Sequence, residues 1–405
     1  MKTNIHPSFI GLAEIDEAEA ILRSCVHCGF CTATCPTYQE LGDERDGPRG
    51  RIYLIKQLLE EGEATEKTRT HLDRCLTCRA CETTCPSGVE YGRLVDIGRN
   101  VIETQQTRPI GERLMRWGIR QVLPFSNRIT PLLRLGQLVR PLMPAVLKAK
   151  IPLRQASSPW PVNSHKRVMV ALAGCVQPSA TPNTNAAAAR VLDRLGVTMV
   201  EAPKAGCCGA VSYHLSAHEE GLNFMRRNID AWWPAIEQGA EAIIITGSGC
   251  GTMVKDYGDL LAGDPQYAEK ARRVSELAKD LSEVLGEEDL GGLNIQDAGK
   301  KTAIHCPCSL QHGQQLPHSV EQILNQAGMT LTATKDKHLC CGSAGTYSIL
   351  QPQMSGKLLD NKLQALCIGS PERIVTANVG CQMHLATKAT VPVQHWIEVL
   401  DEALH

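Results

Sequence analysis

Two runs of four cysteines are the residues whose type and spacing predict chemistry most directly. The run CVHCGFCTATCP begins at residue 25, and CLTCRACETTCP begins at residue 75. A [4Fe–4S] cluster needs four thiolates; a C-x-x-C-x-x-C loop supplies three, and the fourth cysteine, which precedes a proline, typically ligates the other cluster. We therefore predict two clusters with crossed ligands, one bound by Cys25, Cys28, Cys31 and Cys85 and the other by Cys75, Cys78, Cys81 and Cys35.

A pair of structural zinc sites is the alternative for the same cysteines. Zinc sites of this type use two C-x-x-C pairs, and neither the third cysteine nor the trailing Cys-Pro belongs to that pattern. The spacing therefore favours iron–sulfur clusters. Crossed ligation also predicts that the two clusters lie close enough to exchange single electrons.

The segment between the two runs predicts a helix that positions them. GPRGRIYLIKQLLEEGE has apolar residues at helical spacing, Pro48 suits a first helical turn, and Gly62 suits a stop. The N-terminal region therefore resembles the α-helical ferredoxin modules of succinate-dehydrogenase-type subunits more than the small β ferredoxins. Arg49 and Arg51 either contact the clusters or a partner, or are solvated at the helix start.

A basic segment follows at residues 108–154. It contains ten Lys or Arg residues against one acid, Glu112, and prolines divide it into short helices. Apolar residues such as Leu114, Trp117 and Leu135 recur beside the arginines. This pattern is typical of a helix that lies in a membrane interface or docks on a larger subunit. The alternative is a pair of helices that pack the first module onto the next.

From residue 166 the chain repeats itself, with cysteines at matching places. Thirty-one residues separate Cys175 from Cys207, and thirty-one separate Cys308 from Cys340. Short apolar runs alternating with amphipathic helices predict α/β units with mostly parallel sheets, whose sites lie just past the strand ends. The repeats thus supply a second set of candidate metal ligands: Cys175, Cys207, Cys208 and Cys250, then Cys308, Cys340, Cys341 and Cys381.

The Cys-Cys-Gly pairs, each with a preceding and a following cysteine, resemble the cysteine-rich CCG domain of heterodisulfide reductase B subunits and several respiratory dehydrogenase subunits. A two-cluster module followed by two such repeats covers nearly the whole chain. With CVHCGFCTATCPTYQ, DGPRGRIYLIKQ, RNIDAWWPAIEQGAEAI and HLCCGSAGTY, that order resembles the iron–sulfur subunits of glycolate oxidase (glycolate dehydrogenase). Anaerobic glycerol-3-phosphate dehydrogenase C subunits and lactate-utilisation proteins share the architecture.

The resemblance implies an electron-transfer subunit. A flavin-binding partner would oxidise glycolate to glyoxylate, or D-lactate, and this chain would pass the electrons toward quinone without binding the substrate itself. It also implies a peripheral position on the cytoplasmic side of a bacterial inner membrane. The alternatives are a heterodisulfide-reductase-like thiol-redox subunit, or the equivalent subunit of an anaerobic glycerol-3-phosphate or lactate dehydrogenase.

The repeats depart from the full CCG motif, which ends in C-x-x-C. The corresponding last positions are Met253 and His384, so each repeat offers four cysteines. We expect Met253 to pack, because a thioether is a poor cluster ligand, whereas His384 could ligate. The four thiols of each repeat are left with several interpretations: a cluster, another metal, a redox-active thiol pair, a metal-free quinone-reducing site, or a site that has lost its metal.

Four further residues lie outside these sets. Cys306 stands beside a candidate ligand, and its role stays open. Cys367 is expected to be a buried small hydrophobe. His214 and His312 are expected to be satisfied surface or core histidines rather than proton donors to a quinone.

Composition excludes several function classes. A net charge of −1 and 4 % aromatic residues argue against nucleic-acid binding. The sequence has no G-x-x-x-x-G-K-[ST] loop and no G-x-G-x-x-G after a strand, so no flavin motif is recognised and hydride chemistry is expected on another subunit. No apolar run approaches the roughly 18 residues of a membrane span, and MKTNIHPSFIGLAEIDEAEA is not expected to be a signal peptide.

The predicted fold is α/β with an N-terminal all-α ferredoxin-like domain. We expect that domain, with its two clusters, at residues 1–107 and the basic connector at 108–165. Two tandem cysteine-rich repeats with mostly parallel sheets are expected at 166–300 and 301–405.

Overall fold

A computed structural model of the chain describes residues 1–296 and 299–404. Helices are the only regular elements up to residue 150: α1 (Ala13–Ser24), α2 (Pro36–Leu41), α3 (Pro48–Glu61), α4 (Glu66–Asp73), α5 (Ala80–Thr83), α6 (Tyr91–Gln105), α7 (Ile110–Val122), α8 (Ser126–Val139) and α9 (Ala145–Lys150). The predicted all-α character of the N-terminal region is confirmed. No helix in the described ranges is both long and apolar enough to cross a membrane.

Helix α3 forms where its sequence predicts. Pro48 occupies its first turn, where the missing N–H is not needed, and Gly62 ends it in a left-handed conformation with φ +79°. Its apolar face packs against α1, α4 and α6 in a core that includes Leu22, Ile55 and Leu94, each 0 % exposed. This core holds the two cysteine loops in place at its surface.

The first repeat begins a parallel sheet. Its elements are β1 (Arg167–Ala171), α10 (Gln177–Ala180), α11 (Asn183–Arg194), β2 (Val197–Glu201), α12 (Ala210–His214), α13 (His218–Glu237), β3 (Ile243–Ile245), α14 (Ser248–Lys255), α15 (Tyr257–Leu260), α16 (Ala268–Leu277), β4 (Ala278–Asp280) and α17 (Leu281–Glu287). The strand order is β2-β1-β3-β4, with parallel pairing throughout.

The second repeat follows the same plan with a smaller sheet. Its elements are β5 (Thr302–His305), a π-helical turn (Ser309–Gly313), α18 (Ser319–Gln326), α19 (Tyr347–Leu350), α20 (Pro352–Leu366), β6 (Arg373–Thr376), α21 (Val379–Ala386), β7 (Val393–His395) and α22 (Trp396–Glu402). The parallel order is β5-β6-β7, and a single parallel bridge from Thr302 to Leu331 stands where the first repeat has its edge strand.

The two repeats share one core. Helices of both contribute to it, with Leu192, Leu285, Leu324 and Trp396 each 0 % exposed. Such burial stabilises by about 2 kcal/mol per large apolar side chain. The predicted α/β class with parallel sheets is confirmed, and the repeat cysteines lie beyond the carboxyl ends of the strands, where parallel sheets place their sites.

Candidate metal centres

Five cysteines line a cavity in the N-terminal region, which we call cavity I: Cys25, Cys28, Cys31 and Cys85, together with Cys81. Burial, and then the neighbouring Cys25, raise the pKa of Cys31 to about 11. Thiolates crowded in this way are stabilised by a metal ion, which deprotonates a coordinating thiol outright. Four soft donors around one cavity fit a [4Fe–4S] cluster.

An adjacent cavity, which we call cavity II, is lined by four cysteines: Cys35, Cys75, Cys78 and Cys81. Burial, followed by the neighbouring Cys78, raises the pKa of Cys81 well above its usual value. Cys81 and Tyr91 line both cavities. Seven of the eight cysteines therefore line only the cavity that the crossed pattern predicts for them, Cys81 lines both, and the ligation of iron stays a prediction.

Left-handed residues curl both cysteine loops. His27 (φ +57°) and Gly29 (φ +86°) flank Cys28, and Thr77 (φ +51°) and Arg79 (φ +58°) hold the matching places in the second loop. Backbone in this conformation turns successive N–H groups toward one side and forms an anion-binding concavity of the kind found at iron–sulfur sites. The loops are thus shaped for an anionic, thiolate-bound group.

Hydrogen-bond donors reach the thiols of cavity II. The backbone N–H of Thr77 lies 3.4 Å from Cys75 Sγ, and Tyr91 Oη lies 3.6 Å from the same atom. Cys35 Sγ lies 3.3 Å from Thr37 Oγ1. Hydrogen bonds to cluster sulfurs are one of the ways in which proteins set reduction potentials.

A buried ionic network stands behind cavity II. Asp46 Oδ atoms lie 2.9 Å from His71 Nδ1, 2.9 Å from Arg74 and 3.5 Å from Arg51. Arg51, only 1 % exposed, also donates to Thr37 Oγ1 at 3.1 Å. Burial lowers the pKa of Arg51, but Tyr91 and the cysteines of cavity II outweigh it, so the net pKa rises.

Arg51 is therefore not a solvated residue at the helix start. Arg51 lines cavity II, and its contact with a cluster stays a prediction. Arg49 differs: its side chain is 38 % exposed, pairs with Glu44 at 2.7 Å and lines cavity I. The sequence alone could not predict that Arg51 is buried and Arg49 partly exposed, because both lie in the first turn of α3.

The four cysteines of the first repeat meet at one place. The pKa of each thiol depends on its neighbour in the order Cys175, Cys207, Cys208 and Cys250, so the four thiols lie side by side. The neighbouring Cys207, and then burial, raise the pKa of Cys175 well above its usual value. The second repeat repeats this arrangement in the order Cys308, Cys340, Cys341 and Cys381.

The glycine of each Cys-Cys-Gly motif is required by the backbone. Gly209 has φ +92° and Gly342 has φ +82°, and their N–H groups each donate at 3.4 Å to the first thiol of the pair, Cys207 or Cys340. A Cβ on Gly342 would lie 2.6 Å from the Ser355 carbonyl oxygen. Only glycine fits this close approach with adjacent sulfurs facing one centre.

His305 joins the thiols of the second repeat. One of its ring nitrogens lies within 4.8 Å of both Cys341 Sγ and Cys381 Sγ, and the residue is 1 % exposed. Burial, and then Lys362, lower the pKa of His305. Sequence reasoning missed this residue; the one available signal was that His305 precedes Cys308 by three positions, whereas the first repeat has Leu172 there.

The remaining candidates occupy different settings. Met253 is 3 % exposed and packs in the first-repeat core, as expected. His384 Nε2 lies 3.0 Å from Ser355 Oγ and is not in the group with Cys341 and Cys381.

The expectation for Cys367 is wrong: it lies exposed at the end of α20, where the chain turns out of the helix. Half-buried Cys306 packs against the shared core.

The second repeat packs directly against cavity II. Cys78 and Cys308 pack against a small apolar cluster that contains Cys340. After burial, the charge of Cys308 has the largest effect on the pKa of Cys78, and both effects raise it. Thr83 Oγ1 and His312 Nδ1 lie 2.9 Å apart across the same boundary. The thiols of the second repeat are therefore neighbours of the thiols predicted to bind the second cluster.

The first repeat contacts the N-terminal domain through polar pairs instead. Arg79, which lines cavity II, pairs with Asp256, and His214 Nδ1 lies 3.1 Å from Asp96. His214 is thus a partnered histidine, as expected. Burial lowers the pKa of His312 to about 4, which keeps its imidazole neutral at neutral pH.

The basic connector combines packing with exposure. Arg116 and Arg120 of α7 form ion pairs with Asp73 of α4 and Glu220 of α13, so this helix does join the N-terminal domain to the first repeat. Other side chains of the segment remain uncovered: Leu114, Trp117, Leu135, Leu138 and Leu142 are between 56 % and 88 % exposed. The packing alternative therefore holds for one face of α7, and contact of the exposed side chains with a membrane or a larger subunit stays a prediction.

Two family descriptions match the parts of this architecture. The family described as "4Fe-4S dicluster domain" matches residues 21–89, and the family described as "Cysteine-rich domain" matches residues 169–255 and 302–386. The "Glycolate oxidase iron-sulfur subunit" of Escherichia coli (strain K12) is 57 % identical over 405 residues, with 100 % of this chain and 99 % of that protein covered. This chain belongs to the family of glycolate oxidase iron–sulfur subunits.

More distant relatives match the whole or part of the chain. The "Probable glycolate oxidase iron-sulfur subunit" of Bacillus subtilis (strain 168) is 31 % identical over 401 residues, covering 92 % of this chain and 89 % of that protein. "Lactate utilization protein A" of Bacillus velezensis is 30 % identical over 230 residues, which is 54 % of this chain and 92 % of that protein. The family resemblance seen in the sequence is confirmed.

Proposed function

We propose that this chain is the electron-transfer subunit of a glycolate oxidase complex. A flavin-binding partner subunit oxidises glycolate to glyoxylate, or D-lactate, and this chain passes the electrons to quinone. The observation that carries the proposal is the pair of adjacent cysteine-lined cavities with Cys81 in their common wall. The full-length similarity to a glycolate oxidase iron–sulfur subunit supports the choice of complex.

Each cavity supplies the ligands of one [4Fe–4S] cluster in this proposal. Cys25, Cys28, Cys31 and Cys85 hold one, and Cys75, Cys78, Cys81 and Cys35 hold the other. When bound, the clusters accept and release single electrons. The protein's own groups position the thiolates and stabilise negative charge: Tyr91 donates toward Cys75, and Arg51 places a buried cation beside cavity II.

The bond-breaking chemistry is assigned to partner subunits. Removing two electrons from a 2-hydroxy acid normally needs a hydride acceptor such as flavin, and this sequence has no dinucleotide-binding fingerprint. We extend the metal-binding proposal to the cysteine-rich repeats, whose two sets of four thiols are candidate ligands of further iron–sulfur or metal centres.

A glycolate-reduction experiment tests the main proposal. The assembled complex, purified anaerobically, is mixed with glycolate, and both flavin absorbance and [4Fe–4S] EPR signals are recorded. We expect the wild type to develop reduced-cluster signals and to reduce quinone. Cys78→Ser should still reduce flavin but lose most quinone reduction, and Cys367→Ser, at an exposed thiol outside the cavities, is the matched control. Full quinone reduction by an assembled Cys78→Ser complex contradicts the proposal.

The proposal also places the chain peripherally on the cytoplasmic face of the inner membrane. Its support is the connector, where Trp117 is 56 % exposed one turn after the exposed Arg113 of α7, and Leu138 of α8 is 77 % exposed. Apolar and basic side chains together suit an anionic lipid surface. Flotation with phosphatidylglycerol vesicles tests it. Trp117→Glu should lower the bound fraction several-fold, and Val162→Glu, at an exposed apolar residue outside the helices, should not. Equal binding by both variants contradicts membrane contact through α7.

A further inference from the structure

The buried imidazole of His305 has an unusual environment. The residue ends β5, is 1 % exposed, and neither ring nitrogen has a hydrogen-bond partner. Leaving a buried polar group unpaired costs about 1–3 kcal/mol, so such groups in folded proteins usually have a partner. The atoms that a ring nitrogen approaches are Cys341 Sγ and Cys381 Sγ, all three ligand atoms lying within 4.8 Å of one another.

A buried cation stands beside the same group. Lys362 of α20 is 0 % exposed, and its Nζ donates to the backbone carbonyl of Lys337 at 3.0 Å. Among the described residues it forms no ion pair with a carboxylate, and the acidic groups that act on it are the thiols of the second repeat, among them Cys308 and Cys341. Since a buried charge requires compensation, Lys362 is placed to compensate negative charge on these thiols when they bind a metal.

The first repeat lacks both features. Leu172 precedes Cys175 by three positions, as His305 precedes Cys308, and Leu172 is buried at 3 % exposure. The carbonyls of Gly221 and Ser355 face Gly209 and Gly342 in the same way, and seven residues further on the first repeat has Asn228 where the second has Lys362. The Asn228 side chain hydrogen-bonds the backbone around Cys207. The histidine and the cation are therefore additions to the second repeat, rather than requirements of the fold.

We propose that His305, Cys341 and Cys381 are ligands of a metal centre in the second repeat, and that the first repeat has no equivalent histidine-ligated centre. The ligand chemistry is one neutral imidazole with soft thiolates, which suits Zn²⁺ or an iron–sulfur centre. The thiol of Cys340, beside that of Cys341, stands next to the same place. The inference rests on the proposed metal binding by the repeats and is independent of electron transfer.

The charges of such a centre match its surroundings. A divalent ion bound by the imidazole and by the two thiolates of Cys341 and Cys381 carries no net charge, and a thiolate at the adjacent Cys340 balances the ammonium of Lys362. A charge-balanced pair is tolerated in an interior where either charge alone is not. His305 thus takes the ligand place that the full CCG motif gives to its last cysteine, whereas His384, at that place in this sequence, is bonded to Ser355.

Metal analysis of the full chain, purified anaerobically with its partner subunits, tests this inference. Iron, zinc and acid-labile sulfide are measured in the wild type and in His305→Leu, which installs the residue of the first repeat. We expect metal beyond the eight irons of two [4Fe–4S] clusters in the wild type. His305→Leu should lose the share of that excess that the second repeat holds, and any metal of the first repeat should remain. Excess zinc indicates a mononuclear site, and excess iron with sulfide indicates a cluster.

Controls separate a lost ligand from a damaged fold. His384→Leu should keep the excess metal, His305→Cys should keep it with an altered spectrum, and the EPR signals of the two N-terminal clusters should be unchanged in all variants. For an iron centre, ¹⁴N hyperfine coupling should disappear in His305→Cys. A wild type without metal beyond eight irons, or a His305→Leu variant that retains the whole excess, would overturn the inference, and neither outcome bears on the two N-terminal clusters.

Discussion

Tyr347 of the second repeat donates a hydrogen bond from its Oη to the backbone carbonyl of Arg74, at 3.0 Å. Arg74 immediately precedes Cys75, so a residue six positions after Cys341 fixes the loop that lines cavity II. Because Tyr347 is only 6 % exposed, the bond is shielded from water. The second repeat therefore acts as part of the wall that supports the predicted second cluster.

Tyr347→Phe should weaken that support without changing any ligand. Losing one buried hydrogen bond, with the Arg74 carbonyl left unpaired, costs about 1–3 kcal/mol. We expect a faster loss of cluster absorbance in denaturant, with the EPR signal of the cavity II cluster lost before that of cavity I. Tyr53→Phe, at a residue that is 56 % exposed, is the control and should behave like the wild type. Simultaneous, unaccelerated loss of both signals contradicts this role.

Crossed ligation makes a second prediction. Cys35 lies in the first run but lines cavity II, and Cys85 lies in the second run but lines cavity I. Cys35→Ser should therefore alter the same EPR signal as Cys78→Ser, and Cys85→Ser should alter the same signal as Cys28→Ser. The measurement is the EPR spectrum of each reduced variant. If Cys35→Ser instead alters the signal that depends on Cys28, each run binds its own cluster and the crossed assignment is wrong.

Arg51 should influence the reduction potential of the cavity II cluster. Reduction adds negative charge, which a nearby buried cation stabilises, so Arg51→Gln should lower the midpoint potential of that cluster. The variant should also lose about 3–5 kcal/mol of stability, because Asp46 is left with fewer partners in the buried network. Redox titration followed by EPR measures the first effect, and urea unfolding measures the second.

Arg49→Gln is the matched control for that experiment. Arg49 lies two residues away on the same helix, but its side chain is 38 % exposed and pairs with Glu44. Solvent screens such a charge, so its removal should shift the potential of the cavity II cluster far less. Equal shifts in the two variants would mean that the buried cation has no special effect on cavity II.

The close approach at Gly342 predicts a steric effect that can be separated from backbone strain. In Gly342→Ala the new Cβ would meet the Ser355 carbonyl oxygen at 2.6 Å, in addition to the left-handed φ of +82°. Gly345 also has a positive φ, +62°, but nothing lies within 4 Å of a Cβ there. Gly345→Ala should cost about 1–2 kcal/mol for the conformation alone, and Gly342→Ala should cost more. Urea unfolding compares them, and equal costs would contradict the clash.

The local patterns of this sequence were sufficient to predict the cysteine grouping. The spacing around Cys25 and Cys75 constrains three thiols within a single loop, and the position of the fourth follows from how two-cluster modules share ligands. The repeats were also predictable, because the cysteine register of the first copy reappears in the second. The parallel sheets then followed from alternating apolar runs and helices.

Residues that meet only in three dimensions were not predictable in this way. His305 approaches Cys341 and Cys381 because parallel strands bring their carboxyl ends to one edge, and no local pattern marks that contact. His384 looked like the ligand from motif position, yet it bonds to Ser355. Cys367 looked buried from its residue type, but the end of α20 leaves it exposed. The positions of His305, His384 and Cys367 all depend on burial or on contacts between residues that are far apart in the sequence.

The contact between the repeats makes the last prediction, a pH dependence of stability. His395 donates from Nε2 to the carbonyl of Thr246 at 2.8 Å, while its Nδ1 accepts from the N–H of Ile397 at 3.2 Å. Burial lowers the pKa of His395 to about 4, because a second ring proton would oppose the Ile397 donor in a buried place. The unfolded chain has the usual pKa of about 6.5.

The sign follows from which state binds the proton. Between about pH 6.5 and about pH 4, His395 binds a proton in the unfolded chain but stays neutral in the folded one. The contribution of neutral His395 to the free energy of unfolding is therefore complete above pH 6.5 and is lost as the pH falls, by up to about 3 kcal/mol. His395→Gln retains a donor and an acceptor without titrating. The free energy of unfolding of the wild type should therefore fall relative to that of His395→Gln between about pH 7 and about pH 5. Asp280, whose pKa burial raises to about 6, is present in both proteins and cancels in the difference. A difference that stays constant with pH would show that His395 does not titrate abnormally.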